Sequence, residues 1–203
     1  MPKKVDHEKQ KHILAKAAWR VIKKEGIEGA SVRKIAEEAG LSPGSLRHYF
    51  SNQSELLAYS MNLVSERVKI RIQNAPFTED HFENMILVLG ELLPLDEERR
   101  LEMEVWIAFN IKALVDPNLA ELSSRVYDEM KEGIRKVIEG LKLMGISRSD
   151  LKAAEEVERL YALIDGLALH AVMKPDLFTE SKMKGIIRTH LVSLCKNESD
   201  KNS

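Results

Sequence analysis

The sequence is poor in several features that mark particular classes of protein. It contains a single cysteine, Cys195, so that no disulfide can form within the chain, as is typical of proteins in a reducing compartment. No apolar run is long enough to span a bilayer, and the N-terminal segment lacks the apolar core of a signal peptide. These absences predict a soluble cytoplasmic protein with no membrane partner.

Patterns of catalytic and metal-binding residues are also missing. The segment HEKQKH resembles a zinc-protease motif, but His7 and His12 are one position too far apart and point about 140° away from each other around a helix. No serine lies in a nucleophile elbow, and no glycine-rich loop could cradle a phosphate. Cys195 has no activating base near it in the sequence and is interpreted as a small apolar residue on a helix. The sequence therefore predicts no metal, no cofactor and no enzymatic activity.

The charges are divided unevenly along the chain. The net charge is −1, yet residues 1–54 hold 11 Lys and Arg against 6 Asp and Glu, and the rest of the chain is correspondingly acidic. A basic N-terminal segment on an acidic body indicates that this segment alone meets a polyanion.

What the sequence does contain is helical periodicity. Hydrophobic residues make up 44% and charged residues 31%, a composition that favours helices, and no strand-like alternation of useful length occurs. Turn clusters divide the chain into about nine predicted helices, at residues 6–25, 31–40, 42–51, 52–72, 78–93, 97–114, 118–144, 149–173 and 179–196. In the first helix, Ile13 is assigned to an apolar stripe, and Trp19 is expected to pack against another element. The fold class predicted is all-α.

Residues 31–50 have the spacing of a helix-turn-helix. Ser31 and Ser42 are suitable N-caps, and Gly40 is suited to the end of the helix between them. Helical spacing turns one set of side chains inward: Ile35, Ala36, Ala39, Leu46 and Phe50. It turns another set outward or to the edges of the second helix: Gly44, Ser45, Arg47, His48 and Tyr49.

This outer surface suits the major groove of DNA. Arginine can bind guanine through two hydrogen bonds, while serine, histidine and tyrosine can reach bases or phosphates. Gly44 permits close approach of the backbone, and the free N–H groups at the start of the helix can face a phosphate. A short polar connecting helix is the alternative, but the caps, the glycine turn and the charge division together favour DNA binding.

The same residues carry a family resemblance. SVRKIAEEAGLSPGSLRHYFSNQSELL resembles the N-terminal signature of the tetracycline-repressor (TetR) family, and ILAKAAWRVIKKEGIEGAS resembles that family's first helix and loop, so the match covers about residues 12–57. The end of the chain, LIDGLALHAVMKPD…IIRTHL, resembles the last two helices of the betaine-regulator-like branch. The resemblance implies a three-helix DNA-binding domain at 1–53, followed by a larger helical domain for ligand binding and dimerisation at 54–203.

Members of the family are two-fold dimers that bind palindromic operators and are released by a small ligand. The implied partners are therefore operator DNA, a second copy of the chain and a small-molecule effector, with repression as the usual effect. The resemblance places DNA contacts at Ser31, Arg33, Ser42, Pro43, Gly44, Ser45, Arg47, His48, Tyr49 and Gln53. Two departures matter, because many relatives have Tyr at the position of Arg47 and Lys at the position of Gln53. A neutral amide at Gln53 is expected to weaken one phosphate contact.

The second domain offers candidates for the other two partners. A surplus of apolar residues on the last two helices indicates a dimer interface, assigned to Leu163, Gly166, Leu167, His170, Ile187, Leu191 and Leu194. Burial within one subunit would produce the same pattern. A ligand pocket needs apolar walls and a few polar anchors, and is assigned to Met103, Trp106, Phe109, Asn110, Tyr127 and His170, although Met and aromatic residues at helical spacing are more often ordinary core.

Two other functions stay open on the sequence alone. One is a helical adaptor that kept the helix-turn-helix but lost sequence-specific DNA binding, for which Gln53 is mild support. The other is an all-α enzyme, which would need charged groups that converge in a cavity, and the sequence shows none.

Overall fold

The structure, a computed structural model, describes residues 7–196. These residues form nine α-helices, one 3-10 helix and no β-sheet. The α-helices are α1 (His7–Gly29), α2 (Val32–Glu38), α3 (Pro43–Arg47), α4 (Gln53–Gln73), α5 (His81–Gly90), α6 (Glu97–Ala113), α7 (Pro117–Leu143), α8 (Ala153–Met173) and α9 (Glu180–Ser193). The predicted all-α fold is confirmed, while the predicted start of the first helix at Asp6 lies outside the described residues. Across residues 7–196, no helix combines the length and the hydropathy that a bilayer span requires.

The described residues fold into two compact units. The first contains residues 7–69 and 101–124, and the second contains residues 70–100 and 125–196. The whole of the predicted helix-turn-helix belongs to the first unit. The predicted functional boundary after residue 53 stays a prediction.

In the first unit, α1 supplies one side of the core. Its buried residues recur at helical spacing and include Leu14, Ala17, Ala18, Val21 and Ile22. Trp19 is 2% exposed, and its ring lies 5.4 Å from the Arg67 guanidinium, which confirms that this tryptophan packs against another element. Ile13, which is predicted to lie on the apolar stripe, is instead 41% exposed, because it lies at the edge of the stripe. At Gly26 the backbone leaves the helical region (φ 72°, ψ 177°) and kinks α1 near the predicted break.

In the second unit, the buried apolar residues lie mainly on α5, α7, α8 and α9. Four of the residues assigned to a dimer interface, Leu167, Ile187, Leu191 and Leu194, are at most 5% exposed in the single chain. Their apolar character is therefore used within one subunit, which was the alternative explanation of the pattern. Leu163 and Gly166 are partly accessible and His170 is exposed.

The end of the described chain pairs with the loop after α7. Ser147 and Cys195 form an isolated antiparallel bridge, in which the Arg148 N–H donates to the Leu194 carbonyl (2.9 Å) and the Lys196 N–H donates to the Ile146 carbonyl (2.8 Å). Cys195 therefore lies beyond α9 and not on a helix as predicted. Its burial raises the pKa of the thiol.

Candidate nucleic-acid interface

The helix-turn-helix is built by local hydrogen bonds that its sequence encodes. The Ser31 hydroxyl accepts a hydrogen bond from the Lys34 N–H (3.3 Å) and the Ser42 hydroxyl accepts one from the Ser45 N–H (3.1 Å), so both predicted N-caps are confirmed. Gly40 lies between the helices at φ 69°, a conformation that glycine adopts without steric penalty.

Helix α3 is shorter than predicted. It contains only residues 43–47, and His48 serves as its C-cap. Leu46 and Phe50 are 0% and 1% exposed, so that these two side chains fix the short helix onto the core, as predicted. Ile35 and Ala36 are also fully buried.

The outward side of α3 is accessible to a partner. Ser42, Pro43, Gly44, Arg47 and His48 are exposed, and Ser45 and Tyr49 are partly buried. These exposed residues lie together at the start and along one side of a helix that is anchored from behind. The arrangement places hydrogen-bond donors and a positive charge on one accessible surface, as a contact with a duplex would require.

The basic side chains near this surface fall into two groups. Arg20 and Lys24 bind the Glu38 carboxylate at 2.6 and 3.0 Å, and the hydrogen bond from Arg20 is the main cause that holds the pKa of Glu38 below its ordinary value. The side chains of Arg33 and Arg47, by contrast, make no hydrogen bond or ion pair with any part of the chain that the structure describes. Both guanidinium groups are exposed, so that their donors are available to phosphates or base edges.

Gly44 has no role in packing. A Cβ built at this position would have the Ser42 hydroxyl, 3.8 Å away, as its one neighbour within 4 Å. Its backbone is not in the left-handed region. The fold would therefore accept a side chain here, which supports the explanation that a glycine keeps the surface low for an external partner.

The start of α4 is held to the helix-turn-helix by side chains. Asn52 caps the helix by accepting a hydrogen bond from the Glu55 N–H (2.8 Å). In a capping box, the glutamate side chain accepts a hydrogen bond from the N–H of the N-cap residue. Here the Glu55 carboxylate accepts instead from the N–H and the hydroxyl of Ser51, the residue before the N-cap, both at 2.7 Å. The Gln53 side-chain amide donates to the Ala30 carbonyl (2.8 Å). Gln53 is thus occupied by an internal bond that the sequence did not suggest.

A second contact at the start of α4 was also missed by the sequence analysis. The Ser54 hydroxyl donates to the Asp116 carboxylate (2.5 Å), and this bond is the main cause that lowers the pKa of Asp116. The two residues are 62 positions apart in sequence. No local motif signals a pair at that separation.

Tyr49 is positioned by a residue outside the predicted site. Its ring lies 4.7 Å from that of His7, with the planes tilted by 43°. In the sequence, His7 belongs only to a pattern that resembles a metal site and whose spacing excludes metal binding. Within residues 7–196, no three His, Cys, Asp or Glu side chains are grouped so that they could hold a metal ion.

The residues assigned to a ligand pocket are divided between the two units. In the first unit, Met103 and Trp106 are half-buried and Phe109 is 1% exposed. Asn110 donates to the Trp106 carbonyl (2.9 Å) and accepts from the Ser123 hydroxyl (3.0 Å), so that its amide already has internal partners. In the second unit, Tyr127 is 43% exposed, and the exposed His170 ring packs at 5.4 Å from the Phe178 ring. The pocket assignment stays a prediction.

Comparison with protein families gives two matches. A family model described as bacterial regulatory proteins, tetR family, matches residues 14–59. A second, described as BetI-type transcriptional repressor, C-terminal, matches residues 83–196. Both resemblances noted in the sequence are confirmed.

Individual relatives and solved structures agree with these matches. The chain is 43% identical over 196 residues to the HTH-type transcriptional regulator PksA of Bacillus subtilis. The matched region covers 96% of this chain and 94% of that protein. It is 29% identical to the HTH-type transcriptional regulator BetI of Vibrio campbellii, with 94% of each chain covered. A transcriptional regulator from Rhodococcus sp. Rha1 superposes with a TM-score of 0.79 at 30% identity, over 91% of this chain and 95% of that one. A regulator from Saccharomonospora viridis, solved in complex with choline, has a TM-score of 0.81 at 22% identity, over 94% of this chain and all of that one, and shows the shared fold.

Proposed function

The chain belongs to the tetR family of bacterial regulatory proteins, and on this premise we propose that it represses transcription as a homodimer that binds a palindromic operator and leaves it when a small molecule binds. The protein is a transcriptional regulator, as its relatives are. The operator, the dimer and the effector are the proposed parts.

The proposed DNA contact is argued mainly from two exposed arginines, Arg33 and Arg47. Their guanidinium groups have no partner within residues 7–196. Arg47 projects from α3 and Arg33 from α2, and both lie in the unit that holds the helix-turn-helix. We assign Arg47 to a base edge, because its planar fork can bind guanine bidentately. We assign Arg33, with Ser31 and the start of α3, to the phosphate backbone, which sets the register of the protein on the duplex.

The proposed contact with a second copy uses the outer faces of α8 and α9. Leu169, Met173 and Val192 are 44%, 63% and 55% exposed in the single chain. A Cβ at Gly166 or Gly185 would meet nothing within 4 Å. Exposed apolar side chains beside glycines suit the close approach of helices from a partner subunit.

The proposed effector acts by changing the spacing of the two recognition helices in the dimer. These helices must lie about 34 Å apart to enter successive major grooves. A ligand shifts that spacing only if it binds one arrangement more tightly than the other. The choline complex of the Saccharomonospora viridis regulator supports a small-molecule effector for this fold.

We further propose that the chain acts by binding alone and is not an enzyme, since its family consists of transcriptional regulators. Because its target is operator DNA in a bacterial cell, we place it in the cytoplasm.

The experiment that tests the proposal is selection of a binding site from random duplexes, followed by fluorescence anisotropy with the selected sequence. Arg47→Ala is expected to weaken operator binding by about 5- to 150-fold, the equivalent of about 1–3 kcal/mol for a bidentate base contact. It is also expected to relax the preference at one base pair in each half-site. Lys136→Ala, which removes one exposed positive charge from α7, is the matched control and should bind like the wild type.

Two results would contradict the proposal. Failure of the wild-type chain to enrich any sequence from the random pool would favour the adaptor alternative. Unchanged affinity and base preference in Arg47→Ala would remove α3 from the recognition surface.

A further inference from the structure

The start of α1 lies against the residues that follow α3. The His7 ring is 4.7 Å from the Tyr49 ring. Lys11 follows His7 by about one helical turn and shares its side of α1, and its ammonium group lies 5.8 Å from the centroid of the Phe50 ring. Two adjacent residues at the end of the helix-turn-helix, Tyr49 and Phe50, are therefore each contacted by a side chain from α1.

This part of α1 is held in place by α4. The Tyr59 hydroxyl donates to the Glu8 carboxylate (3.3 Å) and lies 3.1 Å from Nδ1 of His12. The Tyr59 ring also packs against the Phe50 ring, with the centroids 5.4 Å apart. The end of a helix frays unless such contacts hold it. His7, the first residue of α1, is therefore next to a residue, Glu8, that α4 holds.

Tyr49 has a backbone that the fold fixes and a hydroxyl that the fold leaves free. Its N–H donates to the Leu46 carbonyl (2.9 Å). Its partly buried side chain makes no hydrogen bond within residues 7–196, and its oxygen is not enclosed by the chain. Within the same residues, His7 supplies the one ring that lies against it. The hydroxyl is thus an accessible donor without an internal partner.

The contact with His7 restricts where this hydroxyl can be. A tyrosine side chain beside an open surface has several staggered rotamers, and its hydroxyl occupies a different place in each. The His7 ring favours the rotamer that packs against it. A side chain that is ordered before binding loses less conformational entropy when it binds. Tyr49 directly follows the exposed Arg47 and His48, so that its ordered hydroxyl borders the accessible side of α3.

We propose that His7 is a positioning residue for DNA binding, and that its ring holds Tyr49 so that the tyrosine hydroxyl donates to a backbone phosphate of the operator. A hydroxyl at the edge of a recognition surface suits a phosphate, because phosphate contacts orient the protein and need no particular base. The inference deepens the proposed function and rests on it, since it extends the DNA-binding machinery from the helix-turn-helix to the start of α1. His7 acts through Tyr49 and uses neither its charge nor its ring N–H.

A double-mutant cycle tests the link between the two residues. Tyr49→Phe removes the donated hydrogen bond and is expected to weaken operator binding about tenfold. His7→Ala removes the supporting ring and is expected to weaken binding about two- to tenfold, the range for one aromatic pair. In the Tyr49→Phe background, His7→Ala should have no further effect, because the hydroxyl that His7 positions is gone. If His7 only stabilised α1, the two effects would be independent and their factors would multiply.

Further measurements identify the property of His7 that matters. His7→Phe keeps a ring against Tyr49 and should bind the operator like the wild type, although it lacks a ring N–H. His81→Ala changes the exposed first residue of α5 and, as the matched control, should leave the affinity unchanged. His7→Ala should weaken binding to random duplex by the same factor as binding to the operator, because a phosphate contact carries no sequence information. Fluorescence anisotropy gives the affinities, and thermal unfolding checks that each variant is folded.

The proposal is overturned if His7→Ala or Tyr49→Phe binds the operator as tightly as the wild type does. It is also overturned if the two effects multiply in the double variant, or if His7→Phe binds as weakly as His7→Ala. Any of these results, obtained with a wild type that binds its operator, would reject the role of His7 and leave the proposed function standing. Failure of the wild type to select any operator would reject the proposed function, and this role with it.

Discussion

At the scale of single residues, Gly44 is a position where the packing of the chain does not require a glycine. Nothing in the chain fills the space beside it, since the one neighbour of a built Cβ lies at 3.8 Å. A glycine in a helix is less stable than an alanine by roughly 0.5–1 kcal/mol. Gly44 therefore weakens α3 without any compensating internal contact, as expected if its smooth surface serves DNA.

Gly44→Ala tests separately how this glycine affects the stability of the fold and the affinity for the operator. The variant is expected to raise the free energy of unfolding by about 0.5 kcal/mol, because alanine favours the helix, and to weaken operator binding, because the methyl group intrudes on the DNA. Urea denaturation and fluorescence anisotropy measure the two effects. Gly133→Ala on α7, where a Cβ would also meet nothing within 4 Å, should stabilise the chain without any change in operator affinity. Equal operator affinity for Gly44→Ala and wild type would contradict this explanation.

Asp165, a half-buried carboxylate on α8, is a second residue that lowers the stability of the fold, because burial disfavours its charged form. Its folded-state pKa of about 6 lies above the ordinary 3.8, so that the folded chain binds this proton more tightly than the unfolded chain does. The contribution of Asp165 to the free energy of unfolding is therefore expected to fall as pH rises from about 4 to about 6, and this contribution is not regained at higher pH.

Asp165→Asn is expected to remove this pH dependence. At about pH 4 the variant and the wild type should be equally stable, and at about pH 7 the variant should be more stable by about 1 kcal/mol, a value reduced for the partial exposure of the carboxyl. Urea denaturation across this range gives the difference at each pH. Asp176→Asn, which removes an exposed negative charge from the 3-10 helix of the same unit, serves as the control and should show no such trend. A difference between Asp165→Asn and wild type that does not vary with pH would show that burial has little effect on this carboxyl.

At the scale of elements, the first turn of α4 connects the helix-turn-helix to the rest of the first unit. Gln53 donates to the Ala30 carbonyl just before α2, and Ser54 donates to Asp116 just before α7. Adjacent residues thus bind segments that are far apart in sequence. The start of α4 is well placed to set the orientation of the helices that precede it.

Gln53→Lys tests whether this turn also faces a phosphate. The added charge is expected to raise operator affinity at low salt and to steepen the slope of log K against log salt by about 0.9, the value for one further phosphate contact. Anisotropy titrations at several salt concentrations give the slope. Gln73→Lys places the same substitution at the last residue of α4 and should leave the slope unchanged. Equal slopes for the two variants would remove Gln53 from the DNA surface.

At the scale of the whole molecule, the exposed faces of α8 and α9 bear on the oligomeric state. The apolar residues that the single chain buries, such as Ile187 and Leu191, hold the second unit together. Those left exposed, such as Leu169 and Val192, are available to a second copy. A palindromic operator requires that second copy, because each half-site takes one recognition helix.

Leu169→Glu is expected to disrupt the proposed dimer, because two buried carboxylates would then face each other across a two-fold axis. Light scattering should give a mass near 23.1 kDa, that of one chain, where the wild type gives twice that value. Operator affinity should fall at least about tenfold, since a monomer engages one half-site. Leu143→Glu changes a residue that is 89% exposed at the end of α7 and should remain dimeric. A dimeric Leu169→Glu would place the interface elsewhere.

Local chemistry was predictable from the sequence because its causes lie within a few residues. The caps at Ser31 and Ser42, the left-handed Gly40 and the inward Leu46 and Phe50 depend on helical spacing and side-chain type alone. The uneven distribution of charge along the chain and the exposure of Arg47 also depend on side-chain type and helical spacing alone. Family membership was readable for the same reason, since its signature occupies one continuous segment.

The division of apolar residues between core and exposed surface was decided only by tertiary packing. Helical periodicity marks Leu169 and Leu191 as equally apolar, yet one is 44% exposed and the other is fully buried, because burial depends on which helices pack against each face. The Ser54–Asp116 bond and the Tyr127–Tyr161 pair likewise join residues that are distant in sequence. The sequence by itself thus determined the helices, their caps and the accessible side of α3, whereas the folded chain decided which charges found partners and, within residues 7–196, left the Asp165 carboxylate without one.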